Sequence, residues 1–318
     1  MPRVLMISFE WYSVGMEIQR RRSRMRRTRT GKRIELTSRD IEIFKLLGRY
    51  RYLRSTYIHA FVGGASETRF KERLGDLFHE GYLDRPSQQW EFANARYMPV
   101  VHECGRAAVQ ALRVDGLALE GANTLLADSP HRQFLHSLMI CEVLASLELG
   151  VRANPALRLI GWPEILGRAP ETTSPTPFRI PVPSGGYLVP DGLFGIEYGS
   201  GEAKTYRFFA LEADRGTMPV ARSGTGQSSY LAKLASYQKI IGGRIFKPHL
   251  GVPNLLVLTL TTSTPRLHEI VRRFEEHSGD RAAFLFKSVD AAELKGPAPQ
   301  LLSEPWQRSG LPPLAIDR

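Results

Sequence analysis

Two carboxylates placed symmetrically about a short Gly-rich turn constrain this chain more than any other feature. Apolar runs at residues 189–198 and 206–214 flank Gly199-Ser200-Gly201-Glu202, and two such runs around a Gly/Ser turn read as a β-hairpin. Folding about Gly201 or Glu202 makes opposed residue numbers sum to about 403, which sets Asp191 against Glu212. Directly opposed side chains lie roughly 5 Å apart at Cβ, and two like charges there destabilise a sheet unless a cation sits between them. A divalent metal meets that need. One or two carboxylates completed by water and phosphate oxygens are what Mg²⁺ favours, and such sites cleave phosphodiesters. The competing reading is a plain turn. Pro190-Asp191-Gly192 is a common turn tripeptide, and a register shifted by one residue sends Glu212 to the other face.

The length of 318 residues and 42% hydrophobic content suit roughly two domains with real cores. No apolar run approaches the roughly 20 residues that span a bilayer. The apolar start at residues 4–9 precedes its Arg run, the reverse of a secretory signal, so a cytoplasmic protein with no membrane partner is expected. Cys104 and Cys141 stand far apart with no other soft ligand nearby, which points to buried reduced thiols. The net charge of +11 is concentrated, because residues 20–33 hold eight Arg and one Lys and no acid, leaving +2 for the rest. This basic arm, residues 1–35 with Arg26 and Arg27 near its centre, is expected to be disordered alone and to bind polyanions by counterion release. The other reading is that part of it is a leader ahead of a start at Met16 or Met25.

Residues 36–100 read as a winged helix-turn-helix. Thr37 or Ser38 caps a first helix with the stripe Ile41, Phe44, Leu46 and Leu47, ending near Gly48. A short second helix occupies residues 53–61. Gly63-Gly64 breaks it, and Ser66 caps a third with Phe70, Leu74, Leu77 and Phe78 inward and Arg69, Lys71 and Arg73 outward. That third helix is the candidate recognition helix for the major groove of double-stranded DNA. Residues 82–100 supply two strands around Pro86-Ser87-Gln88-Gln89 as the wing. Three short helices bearing Arg also occur in protein-protein modules, but the cationic arm in front tilts the reading to DNA.

Residues 101–128 form a connector. Ser129-Pro130 then opens a helix, cap followed by first-turn proline, running to about residue 149 with the stripe His136, Met139, Ile140, Val143, Leu144 and Leu147. Glu142 lies off that stripe, either partly buried or solvated on the polar flank. A strand at 157–165, a Pro/Thr/Ser-rich loop, the carboxylate hairpin, a helix at 228–241, a strand at 255–262, a helix at 265–277 and a strand at 283–289 follow. The fold class is α/β (α+β overall), with a mixed-sheet domain over residues 129–296 and an irregular Pro-rich tail over 297–318.

The order α-β-β-β-α-β, with Pro-Asp opening the second strand and an acid closing the third, resembles the PD-(D/E)XK or restriction-endonuclease-like nuclease core over about residues 129–262. The longer string resembles the plasmid replication-relaxation family over about residues 36–275. It comprises Val189-Pro190-Asp191-Gly192, Leu211-Glu212-Ala213-Asp214-Arg215-Gly216-Thr217 and Lys233 with Tyr237, behind a winged helix. The resemblance implies plasmid replication or conjugative mobilisation, and similarity to mobilisation relaxases that use a restriction-endonuclease-like fold in place of a tyrosine nucleophile. It also implies partnership with double-stranded DNA and with other plasmid replication or mobilisation proteins, and Mg²⁺ (or Mn²⁺) as the cofactor of nicking.

Carried onto this chain, the resemblance makes Asp191 and Glu212 the metal ligands, with Glu142 a candidate third acid. One departure is Asp214, where the nuclease motif expects Lys two residues past the acid. By alternation Asp214 shares a face with Glu212, so it either adds a third carboxylate or leaves the transition state without its cation. Lys233, with Tyr237 one turn on, or Arg215 would then supply that charge. The plain alternative for the pair is an exposed Lys beside a core Tyr. Two functions remain in view: a Mg²⁺-dependent nickase or endonuclease delivered by its winged helix, and a non-catalytic DNA-binding factor that keeps the nuclease fold as a scaffold.

Overall fold

The computed structural model describes residues 22–64, 66–91, 94–114, 132–170, 178–199, 203–220, 229–276, 279 and 281–318. Among them the chain forms ten α-helices and a seven-stranded mixed sheet, a mixed α/β fold.

The N-terminal unit runs α1 (Ser38–Tyr50), β1 (Leu53–Arg54), α2 (Ser55–Val62), α3 (Glu67–His79), β2 (Leu83–Asp84) and β3 (Val101–Cys104). Thr37 and Asp40 close a reciprocal capping box on α1, and Ser66 caps α3 through the Arg69 amide, each cap stabilising by about 1 kcal/mol. The strands form a sheet in the order β1-β3-β2. Phe44, Leu47, Tyr57, Leu74 and Leu77 fill the core, joined by Ala108 and Leu112 of α4 (Arg106–Val114). The simple wing turn expected around Pro86 is replaced by 3₁₀ turns at Ser87–Glu91 and Ala95–Tyr97. Buried Gln89 accounts for this. Its side chain accepts from the Val101 amide at 2.9 Å and donates to the Pro86 and Val101 carbonyls at 3.0 Å, drawing the segment inward onto β3.

The basic arm, expected to be disordered through residue 35, is laid against this unit from Arg22 onward. Arg27 donates to the carbonyls of Phe78 and Leu83, both at 2.8 Å, and pairs with Asp84. Arg22 and Lys32 pair with Asp76 at 2.6 and 3.0 Å, and the Thr28 amide donates to His79 Nδ1 at 3.1 Å. Acids and open carbonyls near the end of α3 give the arm fixed partners. Residues 1–21 lie outside the described residues.

α5 (Arg132–Arg152) is apolar nearly all round because it is covered on two sides. Phe134, Leu138, Cys141 and Ala145 join the N-terminal core, whereas Met139, Ile140, Val143, Leu147 and Val151 join the core of the large sheet. Among the described residues it is the one helix long and apolar enough to cross a membrane, over Phe134–Arg152, and most of that segment is buried inside the structure. Its expected start at Ser129-Pro130 lies outside the described residues. Cys104 and Cys141 are free, and burial pushes both thiols up to about 12.

The sheet domain continues with β4 (Leu157–Gly161), α6 (Trp162–Gly167), β5 (Ile180–Pro181), β6 (Tyr187–Leu188), β7 (Gly192–Tyr198) and β8 (Thr205–Asp214). Then come α7 (Tyr230–Gly242), α8 (Phe246–Leu250), β9 (Leu256–Thr261), α9 (Thr264–Glu275), β10 (Phe284–Ser288), α10 (Gln300–Ser303), β11 (Trp306–Arg308) and β12 (Leu311–Leu314). The strand order is β12-β11-β10-β9-β8-β7-β4, with β8, β9 and β10 parallel and β7 antiparallel to both neighbours. The expected strand at 157–165 stops at Gly161 because Pro163 opens α6. Alternation sends Leu193, Phe208 and Ala210 to the core that includes Leu234 of α7 and Ile270 of α9. Phe194, Ile196, Phe209 and Leu211 go to the face under α5.

The tail expected to be irregular from Pro297 is part of this domain. Leu301 and Leu302 of α10 pack into the α5 side of the core, and β11 and β12 extend the sheet. Trp306 is fully buried and donates to the Leu301 carbonyl at 2.9 Å. Pro312 and Pro313 fit because β12 is the edge strand and its register with β11 shifts across them, the positions where a sheet tolerates proline.

Candidate functional site

The β7–β8 register pairs Gly192 with Leu211 and runs unbroken to Tyr198 against Thr205, the pairing anticipated from the turn. One step beyond Gly192, Asp191 donates its amide to the Leu211 carbonyl at 3.1 Å, and its Oδ2 accepts from the Ala213 amide at 2.9 Å. Asp191 and Glu212 therefore sit side by side on the face covered by α7, at the carboxyl end of the parallel strands. Ser229 caps α7, which presents Lys233 and Tyr237 on one face. Lys233 Nζ lies 3.7 Å from Asp191 Oδ1 and contacts Glu212 Oε2 directly. Tyr237, fully buried, donates to Glu212 Oε1 at 2.5 Å.

Three further residues close the site, none of which the sequence had singled out for it. His136, near the start of α5, lies with Nε2 3.3 Å from Asp191 Oδ1. Thr259 of β9 is the register partner of Glu212, and buried Tyr230 donates to its Oγ1 at 3.2 Å. The tyrosine and the threonine were hidden among core-forming residues. His136 belonged to an apolar stripe whose other members face the sheet.

Burial and the neighbouring Asp191 charge push the Glu212 carboxyl up to about 8 against the opposing pull of Lys233 and Tyr237. Burial would also raise Asp191, but the hydrogen bond from His136, the Lys233 charge and the Ala213 amide outweigh it and hold Asp191 below the usual range. For Lys233, burial pulls downward and the two carboxylates win, raising it. The environments of the two acids thus diverge, with Asp191 held down and Glu212 pushed up. Glu212 is sealed, with 1% of its side chain exposed, whereas Asp191 and Lys233 are 18% and 27% exposed and open the site to solvent.

Asp214 neither joins the pair nor leaves a charge unmet. Arg266 of α9 grips it with Nε at 2.7 Å and Nη2 at 3.2 Å. Glu142 is also placed elsewhere. Its carboxylate receives Arg54 Nε at 2.6 Å across the boundary with the N-terminal unit, six residues along α5 from His136 and so on a different side of the helix. The acid expected from this helix is absent from the site, and the residue that reaches Asp191 is His136. Arg215 has no hydrogen-bond or ion-pair partner among the described residues. No group of three or more His, Cys, Asp or Glu side chains among the described residues stands ready to hold a metal ion. What the protein offers is one pair of carboxylates facing a point already held by an ammonium.

On the N-terminal unit the expected DNA-contacting residues divide. Arg69 is exposed on α3 with its side chain uncommitted, and Lys71 is exposed in a pair with Glu67 at 2.6 Å. Arg73 is committed to structure, gripping buried Asp40 at 2.6 and 3.0 Å and the Glu35 carbonyl at 2.7 Å. Arg27 is likewise occupied by Phe78, Leu83 and Asp84, while Arg26 stays exposed.

The replication-relaxation family matches residues 44–256, more than half of the chain. No curated protein and no solved structure matches it. The chain belongs to the replication-relaxation family, which points to a role in replication or mobilisation.

Proposed function

From that membership we propose that the chain is a DNA-binding nickase of plasmid replication or mobilisation, cutting one strand at the Asp191–Glu212 site. The observation that carries the reading is the bridging of two opposed carboxylates by Lys233 from the following helix. An acid pair, an adjacent cation and a solvent-open side are the minimal parts of a PD-(D/E)XK-like centre, with the lysine supplied from α7 because position 214 holds an acid already neutralised by Arg266.

The donor set suits a hard divalent cation, Mg²⁺ or Mn²⁺, held by Asp191 and Glu212 with water and phosphate completing the shell. Such an ion would supply Lewis acidity and an activated water. Lys233, displaced from between the acids, is then free to stabilise anionic charge on the phosphate. Tyr237 holds one oxygen of Glu212, a positioning role, and His136 steadies Asp191. The order α1-β1-α2-α3-β2-β3 supports a winged helix-turn-helix that engages double-stranded DNA through Arg69, Lys71 and Arg26. The alternative, a DNA-binding factor with an inert nuclease scaffold, draws on the same lysine, because its ammonium already neutralises the pair.

Supercoiled plasmid carrying the native origin region, incubated with the protein and Mg²⁺, Mn²⁺ or EDTA, tests the proposal. Metal-dependent open circle that Asp191→Ala and Glu212→Ala abolish supports the nickase. Binding without cleavage by all three proteins selects the scaffold.

A further inference from the structure

Immediately before Asp191 the chain builds a small hairpin that the cleavage chemistry does not use. Ile180 pairs with Leu188 and Pro181 with Tyr187. The turn closes through Gly185 and Gly186, with φ of 99° and 79°, and the Gly185 amide donates to the Val182 carbonyl at 2.8 Å. Alternation separates its two faces. Ile180, Val182 and Leu188 enter the core shared with α7, while Arg179, Pro181, Tyr187 and Val189 are exposed.

Three properties of the outer face coincide. Tyr187 is 66% and Val189 45% exposed, a large aromatic beside an aliphatic side chain. Arg179, opposite Val189 when the register is extended, has no hydrogen-bond or ion-pair partner among the described residues. Only three residues, a span of four steps or at most about 13 Å, separate Tyr187 from Asp191, and β6 packs on α7, the helix that bears Lys233. An exposed aromatic face therefore lies within a few residues of Asp191 along the chain, on a hairpin that also presents a cation with no partner among the described residues.

We infer that this hairpin is the platform for the substrate strand, and that the strand entering the Asp191–Glu212 site is unpaired. The inference rests on reading that pair as a phosphodiester-cleaving site. Tyr187 stacks on a base within a few nucleotide steps of the scissile phosphate, and Arg179 meets a neighbouring phosphate. Within a duplex the base faces are already stacked and only edges and phosphates are on offer. An exposed ring is thus useful to an unpaired strand, and stacking accepts any base.

The test is fluorescence anisotropy of the full chain in EDTA at fixed salt, with a labelled short oligothymidylate and, separately, a labelled duplex. Tyr187→Ala is expected to weaken oligothymidylate binding about 5- to 140-fold, the loss that follows from removing one stacked base. Tyr187→Phe stays within about twofold of wild type, and duplex binding is unchanged in both. Arg179→Ala lowers the salt slope of single-strand binding by about 0.7. Undiminished oligothymidylate binding by Tyr187→Ala, or an equal loss for duplex, overturns the inference. Because the readout is binding without metal, it stands apart from the nickase proposal. Absence of nicking leaves it decidable, and nicking with undiminished single-strand affinity in Tyr187→Ala rejects the platform alone.

Discussion

Replacing Lys233 with Met keeps the aliphatic stem and removes the ammonium that separates Asp191 from Glu212. Removing one partner of a fully buried ion pair costs about 3–5 kcal/mol. Here the lysine is 27% exposed, so solvent screens part of the interaction. Glu212, already pushed up to about 8, also escapes repulsion by keeping its proton. The expected loss at neutral pH is therefore about 2 kcal/mol, or a fall in melting temperature of about 3 °C for a chain of this size. Mg²⁺ at a hundredfold excess over its dissociation constant stabilises by about 2.7 kcal/mol, so it restores the variant. Wild type gains less, because there the ion must first displace Lys233. Calorimetric melts of both proteins in EDTA and in Mg²⁺ measure the four values. A deficit that Mg²⁺ does not recover, or an equal Mg²⁺ effect on both proteins, refutes the reasoning.

Trp306→Ala is expected to cost about 3–5 kcal/mol in urea unfolding, whereas a tail that merely trailed the domain would tolerate the change. Arg69→Ala lowers the slope of log binding constant against log salt for duplex DNA by about 0.9 and leaves the melting temperature unchanged. Arg73→Ala instead destabilises the fold by about 2–3 kcal/mol by stranding buried Asp40, and thermal melts separate the two roles. Burial pushes the Glu142 carboxyl from its ordinary 4.5 up to about 7 against the pull of Arg54. A raised acid favours the folded state below its unfolded pKa and loses that contribution as pH rises through its folded one. Stability should therefore fall between about pH 4.5 and 7 by about 3 kcal/mol from this group. Glu142→Gln flattens that part of the pH profile of melting.

The carboxylate hairpin was legible because its information is local. A Gly/Ser turn between two apolar runs fixes the register, and the register fixes which side chains face each other. Helix starts at Thr37 and Ser66 were legible for the same reason, since a cap bonds within three residues. The misplaced residues are held by distant partners. Glu142 meets Arg54 of β1, Arg73 meets Asp40 of α1, and Arg27 is anchored by carbonyls more than fifty residues away. The prolines of the tail read as irregular because its edge position in a sheet, and the burial of Trp306 that secures it, depend on the assembled core. His136 was read as part of an apolar stripe because a histidine there announces no partner until the topology brings Asp191 to it.

Titration of Mn²⁺ into wild type, Asp191→Asn and Glu212→Gln by isothermal calorimetry tests the cation site most directly. The account predicts one ion per chain for wild type and loss of that site in both variants, with helical content unchanged by circular dichroism. Binding retained in both variants, or no ion bound by wild type in the presence of DNA, would contradict it.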